Sequence, residues 1–242
     1  MTREQPKQAP PPVQRLRVRY AKRGRLRFTS HRDFSRAFER AVFRARLPMA
    51  YSSGFNPHPR ISYAGAAPTG SASEAEYLEL ALAEVVDPAA ALAALDEAMP
   101  DGLDVVEVVE SAGGSLADLL QASQWNIALP TPMEEVTPAV RAFLRADEVA
   151  VQRMTKKGLR DFDARAAVLS LLVMPGGDGT GPGSELELVL RHQEPAVRPD
   201  DVLTGLASVG GLELVGVPLL TREAQGPLDE VTGEIGDPLR TR

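Results

Sequence analysis

YLELALAEVVDPAAALAALDEAMPDGLDVVEVV, residues 77–109, reads as a strand, a helix and a second strand. Leu78, Leu80 and Leu82 alternate with Glu79 and Ala81, the period-2 pattern of a strand with one face in a core. Asp87-Pro88 supplies an N-cap followed by proline at the first helical position, and Leu92 and Leu95 mark the inner face of the helix. Gly102 closes it, and LDVVEVV follows as a short buried strand. The same order returns at residues 185–217, ELELVLRHQEPAVRPDDVLTGLASVGGLELVGV. Leu186, Leu188 and Leu190 alternate, Pro199 opens a helix, Gly210-Gly211 end it, and LELVGV reads as the closing strand. Leu78 and Gly102 lie 24 residues apart, Leu186 and Gly211 lie 25 apart. A strand, a helix and a glycine-led strand at matched spacing in two places point to a repeated unit.

Upstream of the first copy, residues 15–65 carry most of the positive charge: RLRVRYAKRGRLRFTSHRDFSRAFERAVFRARLPMAYSSGFNPHPRISYAG. Residues 1–65 hold 15 Lys and Arg against 3 Asp and Glu, whereas the rest of the chain holds 12 against 30. A chain with net charge −6 that is basic over one segment has a directional field, and such a field suits a polyanion. Leu16, Val18 and Tyr20 alternate with Arg15, Arg17 and Arg19 as a half-buried strand with one basic face. Lys22-Arg23-Gly24-Arg25 reads as a tight turn, after which Leu26 and Phe28 resume the alternation. Ser30 is an N-cap with Asp33 in the capping-box position. The helix that follows is expected to run to about Arg46. Phe34, Ala37, Phe38, Ala41, Val42 and Ala45 form its buried stripe. Arg32, Arg36, Arg40 and Arg44 recur every fourth residue as one ridge, a row of like charges that weakens a helix unless an anion faces it. Leu47-Pro48 ends the helix. The stiff loop beyond it, with Pro57-His58-Pro59 at its centre, displays Tyr51, Phe55, His58 and Arg60, side chains that stack on unpaired bases and grip phosphates.

In the second half WNIALP reads as a strand. Thr131-Pro132 opens a helix with Val136, Val140, Phe143 and Leu144 inward, and EVAVQRMT and AAVLSLLVM are strand-like, separated by KKGLRDFDAR. Each half therefore reads β-α-β-β-α-β, and the expected class is α+β, a tandem pair of ferredoxin-like units. The expected divisions are a disordered N-terminal tail over 1–14, a first unit over 15–114 with the basic helix and loop, a second unit over 115–222, and a disordered acidic tail over 223–242. PGGDGTGPGS at 175–184 is expected at a hairpin tip of the second unit. No apolar run approaches the roughly 18 residues that span a bilayer, so no membrane association is expected, and a polar, proline-rich start gives a cytoplasmic protein as the default. With no cysteine the chain forms neither a disulfide nor a thiolate metal site. His31, His58 and His192 are scattered without metal-ligand spacing, so no metal or cofactor is expected in this chain.

Phe28-x-Ser30-His31-x-Asp33, Arg40, Ala45-x-Leu47-Pro48, Tyr51-x-x-Gly54-Phe55-x-Pro57-x-Pro59, Gly70 and Glu76 together resemble the radical-SAM-associated family of uncharacterised bacterial proteins. Thr155-Lys156-Lys157-Gly158 is similar to that family's second marker, and the resemblance spans roughly residues 15–222. It implies a radical SAM protein as partner, because the domain is found fused to or beside radical SAM proteins with a cobalamin-binding-like region. It implies a gene neighbourhood near translation and RNA processing, and no established reaction. S-adenosylmethionine and an iron–sulfur cluster are then expected only in the partner.

Three functions fit these residues. In the first the chain is an accessory RNA-binding protein, with Arg32, Arg36, Arg40, Arg44 and Arg60 on phosphates and Tyr51, Phe55 and His58 against bases. Lys156, Lys157 and Arg160 extend that basic track from the second unit. In the second, the tandem layout is similar to that of the CRISPR-repeat-processing endoribonucleases, and His31 or His58 serves metal-free RNA cleavage as acid or base. In the third the basic face docks an acidic surface of the radical SAM partner.

Overall fold

The computed structural model describes residues 8–155, 158–177 and 183–240. The chain is α+β and divides into two compact units, residues 1–118 with 239–242, and residues 119–238.

In the first unit the strands are β1 (Gln14–Lys22), β2 (Ile61–Ala64), β3 (Ala72–Leu82) and β4 (Val105–Glu110), and the helices are α1 (His31–Arg44), α2 (Pro88–Ala98) and the single turn α3 (Leu116–Leu119). The sheet order is β4-β1-β3-β2, and every pairing is antiparallel. Strand alternation sends Leu16, Val18 and Tyr20 of β1 and Leu78, Leu80 and Leu82 of β3 into one core. Phe34, Phe38, Ala41 and Val42 of α1 meet them there, as do Ala91 and Leu95 of α2. Both helices are capped as their sequences require: Ser30 Oγ accepts from the Asp33 amide at 3.2 Å and Asp87 Oδ2 from the Ala90 amide at 3.1 Å.

The second unit follows the same path: β5 (Ala122–Leu129), α4 (Met133–Arg145), β8 (Val168–Pro175), β9 (Ser184–Arg191), α5 (Pro199–Gly210) and β10 (Leu219–Gly226). Between α4 and β8 an extra hairpin, β6 (Ala150–Thr155) and β7 (Gly158–Asp163), forms a separate two-stranded sheet. The order β10-β5-β9-β8 is again antiparallel throughout. YLELAL and ELELVL thus occupy the same place, each paired with the first strand of its own unit, and Leu78, Leu80, Leu186 and Leu188 are all fully buried.

Several expectations are corrected. Leu26 and Phe28 do not resume a strand: Gly24–Phe28 is a 3₁₀ turn closed by Leu26 N–H to Arg23 O at 3.0 Å and Thr29 N–H to Leu26 O at 2.9 Å. The helix α1 stops at Arg44, and Arg46 takes a left-handed φ of 52°. The loop expectation for 51–65 missed β2, a four-residue strand. KKGLRDFDAR is not a spacer alone, since it contributes β7. Leu144 lies on the outside of α4, and Ala139 takes the inner place. LELVGV is no strand: Val215 and Val217 are exposed, Gly216 has φ 78°, and Pro218 brings no N–H for a ladder. The closing strand is β10, and it carries the second unit past residue 222. Beyond it, Leu228 bridges Ile235, the Asp229 carboxylate accepts from the Val231 and Thr232 amides, and Glu230 pairs with Arg191, so described residues 223–240 are tied down rather than a free tail. At the other end, within the expected N-terminal tail, Ala9 N–H donates to Ser53 Oγ at 2.9 Å, Val13 N–H donates to Leu82 O at 2.8 Å, and Gln14 already pairs with Leu82 in β1. The tip of PGGDGTGPGS, 178–182, falls outside the described residues, as do residues 1–7. No helix among the described residues is long and apolar enough to cross a membrane.

Candidate nucleic-acid interface

The basic segment separates into arginines with internal partners and arginines without them. On β1 the expected basic face is neutralised in place. Arg15 donates to Glu79 Oε1 at 2.8 Å, and Arg19 pairs with Glu107 at 3.0 Å. Arg17 is buried, 3.5 Å from Glu79 Oε2 and 2.5 Å from the Gly113 carbonyl. Arg23 bridges Glu74 and Asp104. Lys22 is buried and donates to the Pro68 carbonyl at 3.2 Å. Arg17, Arg19, Lys22 and Arg23 therefore project little charge outward, whereas half-exposed Arg15 engages Glu79 through Nη1 alone. Their role is to knit the sheet and the 65–70 connection.

On α1 the balance is different. Arg32, Arg36 and Arg40 are exposed, and none makes an ion pair or side-chain hydrogen bond among the described residues. The spacing of 4 keeps them on one face because the buried stripe of Phe34, Phe38, Ala41 and Val42 fixes how the helix is turned. Arg44 is the exception in the row. Its guanidinium donates to the Ala98 carbonyl at the C-terminal end of α2, so it ties the two helices together. Phe43, absent from the sequence-based set, is 82% exposed. It stands three residues from Arg40 and seven from Arg36, and with Glu39 and Arg44 these side chains line a hollow of about 500 Å³. Its signal was available, because Phe43 falls outside the stripe that buries Phe34 and Phe38 while remaining a large apolar side chain.

The loop after α1 is pinned at its base. Ser52 N–H donates to His58 O at 2.9 Å, His58 N–H to Ser52 Oγ at 3.0 Å, and Arg60 N–H to Ala50 O at 2.8 Å. Between those ties Tyr51 and Phe55 are exposed at 48% and 61%, and His58 and Arg60 are exposed beside them. Neither aromatic fills the core. His58 and Arg60, with Arg15, Ser52, Ser62 and Glu79, line a second hollow of about 310 Å³ that shares no residue with the one on α1.

The remaining expected residues are dispersed. His31 stands exposed at the start of α1 with its ring edge-on to Tyr63, 5.0 Å between centroids. Neither its imidazole nor that of His58 makes a hydrogen bond among the described residues. Tyr63 is largely buried, which pushes its hydroxyl up to about 12. His192 is structural: Nδ1 lies 2.7 Å from Leu120 O and Nε2 3.0 Å from Ser123 Oγ, and burial lowers its pKa. Arg160 is exposed on β7 of the second unit, and Lys156 and Lys157 lie outside the described residues. Among the described residues no group of three or more His, Asp or Glu could hold a metal ion.

A model of the family described as uncharacterized protein conserved in bacteria (DUF2344) matches residues 15–199. The chain belongs to the DUF2344 family. The match runs from the second residue of β1 to the first residue of α5, so both hollows and the arginine ridge lie within the family domain. No curated protein matches the chain.

Proposed function

We propose that this DUF2344 protein is an accessory RNA-binding protein that works with a radical SAM enzyme in RNA modification or processing. The observation that carries the reading is the free arginine row of α1. Arg32, Arg36 and Arg40 spend no charge inside the protein, while the neighbouring basic residues of β1 do. A row of like charges costs helix stability, and an RNA backbone along it turns that cost into binding. Exposed Phe43 lines the α1 hollow with Arg36 and Arg40, and Tyr51 and Phe55 are exposed on the loop that follows, side chains of the kind that stack on unpaired bases. The radical SAM partner rests on the resemblance of the 28–76 motif, and a chain without cysteine looks to a partner for cluster chemistry.

In this reading the strand orders β4-β1-β3-β2 and β10-β5-β9-β8 are two ferredoxin-like units in tandem, the second enlarged by the β6–β7 hairpin. Binding is favoured over cleavage because a general base needs a group to orient it, and neither His31 nor His58 has one among the described residues. The test is crosslinking and sequencing of RNA from cells that carry tagged protein, with mass spectrometry of the same pull-down. Recovery of a defined RNA together with a radical SAM protein is expected. A pull-down with the enzyme and no RNA would replace this function by protein docking. Chelator-resistant cleavage of the recovered RNA by pure protein would replace it by catalysis.

A further inference from the structure

The register of the first sheet builds a site that the sequence keeps 45 residues apart. Arg15 of β1 faces Ala81 of β3, and the Ala81 amide donates to the Arg60 carbonyl at 3.0 Å. One step along, Arg17, Glu79 and Ser62 form the next row. Arg15 and Arg60 therefore come to the same hollow, with His58 and Ser52 on its loop side.

The charge inside the hollow is positive although Glu79 lines it. Glu79 accepts from Arg15 at 2.8 Å and from the Ser111 hydroxyl at 2.8 Å, with buried Arg17 at 3.5 Å. Two guanidiniums outweigh that one carboxylate, and three donors occupy it, so it does not call for a cationic ligand. Arg15 uses only Nη1 on Glu79 and keeps its other nitrogens for a ligand, while the Arg60 guanidinium has no partner among the described residues. Pro59, Ile61 and Ala81 add apolar wall. A volume of about 310 Å³ suits one nucleotide-sized ligand rather than a run of them. The ties of Ser52, His58 and Arg60 already hold the loop, so binding orders little new chain.

We infer that this hollow binds the phosphate monoester of a single nucleotide, with Arg15 and Arg60 on the phosphate and the apolar wall against the sugar or base. A monoester carries about −1.5 to −2 charges near neutrality and three acceptor oxygens, which matches converging guanidiniums better than a singly charged diester does. The inference deepens the RNA-binding reading where the nucleotide is an RNA end, and stands apart from it where the nucleotide is free.

The test compares one single-stranded RNA bearing a 5′-phosphate with the same RNA bearing a 5′-hydroxyl, alongside ribonucleoside 5′-monophosphates and the parent nucleosides, by anisotropy and calorimetry. The wild-type protein should prefer the phosphorylated partner by about tenfold, the effect of one charge-assisted contact. Arg60→Ala should reduce that preference to within about twofold. Arg36→Ala with Arg40→Ala should weaken both RNAs by one common factor and leave the preference intact. Preference confined to the oligonucleotides assigns the site to RNA ends, and preference confined to the mononucleotides assigns it to a free nucleotide. Binding of monophosphates with no binding of either RNA would sink the RNA function and keep this site. Equal affinity for both members of each pair, or a preference that survives Arg60→Ala, overturns the inference.

Discussion

If the chain binds RNA as proposed, replacing Arg36 and Arg40 with Ala isolates the electrostatic part of that binding. Four cations of the interface are free of internal partners among the described residues: Arg32, Arg36, Arg40 and Arg60. If each neutralises one phosphate of a single strand, log K should fall with log salt at a slope of about −0.7 per contact, hence about −2.8 for the wild type. Affinity then drops about 50-fold between 50 and 200 mM salt, and the double variant, with a slope near −1.4, drops only about 7-fold. Folding should change by no more than about 0.5 kcal/mol, because both side chains are exposed, arginine and alanine are both good helix formers, and the change removes like-charge repulsion. Arg44→Ala is the internal control. Its guanidinium serves the Ala98 carbonyl, so it should cost about 1 kcal/mol in denaturant midpoint and leave the slope nearly unchanged. Anisotropy titrations at four salt concentrations measure the slopes. An identical slope in wild type and double variant, or a slope that falls with Arg44→Ala instead, would refute the assignment of the phosphate contacts to this face.

Glu79→Ala should destabilise the first unit by about 3 kcal/mol, since it strips buried Arg17 and half-exposed Arg15 of their carboxylate; a thermal or urea midpoint unchanged from wild type would contradict the pairing. Gly205→Ala tests the α4–α5 contact. A Cβ there would lie 2.8 Å from Phe143 and 2.9 Å from Val149, so overpacking by about 1–3 kcal/mol should outweigh the gain in helix propensity, and a stabilised variant would show that the contact yields. His192 supplies a pH dependence. Burial lowers its folded pKa below 6.5, so the unfolded chain binds the proton more readily and stability is lost as pH falls through and below 6.5. Urea midpoints between pH 5 and 8 should show that loss in the wild type and a flatter profile in His192→Asn.

Local patterns were enough for the alternating leucine strands and the helices. Alternating leucines at 78–82 and 186–190, the Asp87-Pro88 and Pro199 helix starts, and the Phe34–Val42 stripe each rest on contacts within a few residues or on one strand facing one core, so period and capping decide them. The same stripe fixed which way Arg32, Arg36 and Arg40 point. Where the outcome depended on partners far along the chain, the pattern misled or was silent. LELVGV has strand composition, yet Gly216 interrupts it, Pro218 follows it, and β10, with the mixed sequence LLTREAQG, takes the place beside β5. The four residues of β2 gain strand geometry by pairing with β3. Arg15, Arg17 and Arg19 looked like a free basic face, and only the register opposite Glu79 and beside Glu107 shows Arg17 and Arg19 neutralised and Arg15 partly engaged. Register is a property of two strands at once. A single strand's alternation states which side chains share a face, whereas the residues across the ladder decide whether Arg15 and Arg17 spend their charge on Glu79 and whether Arg15 meets Arg60 at one hollow.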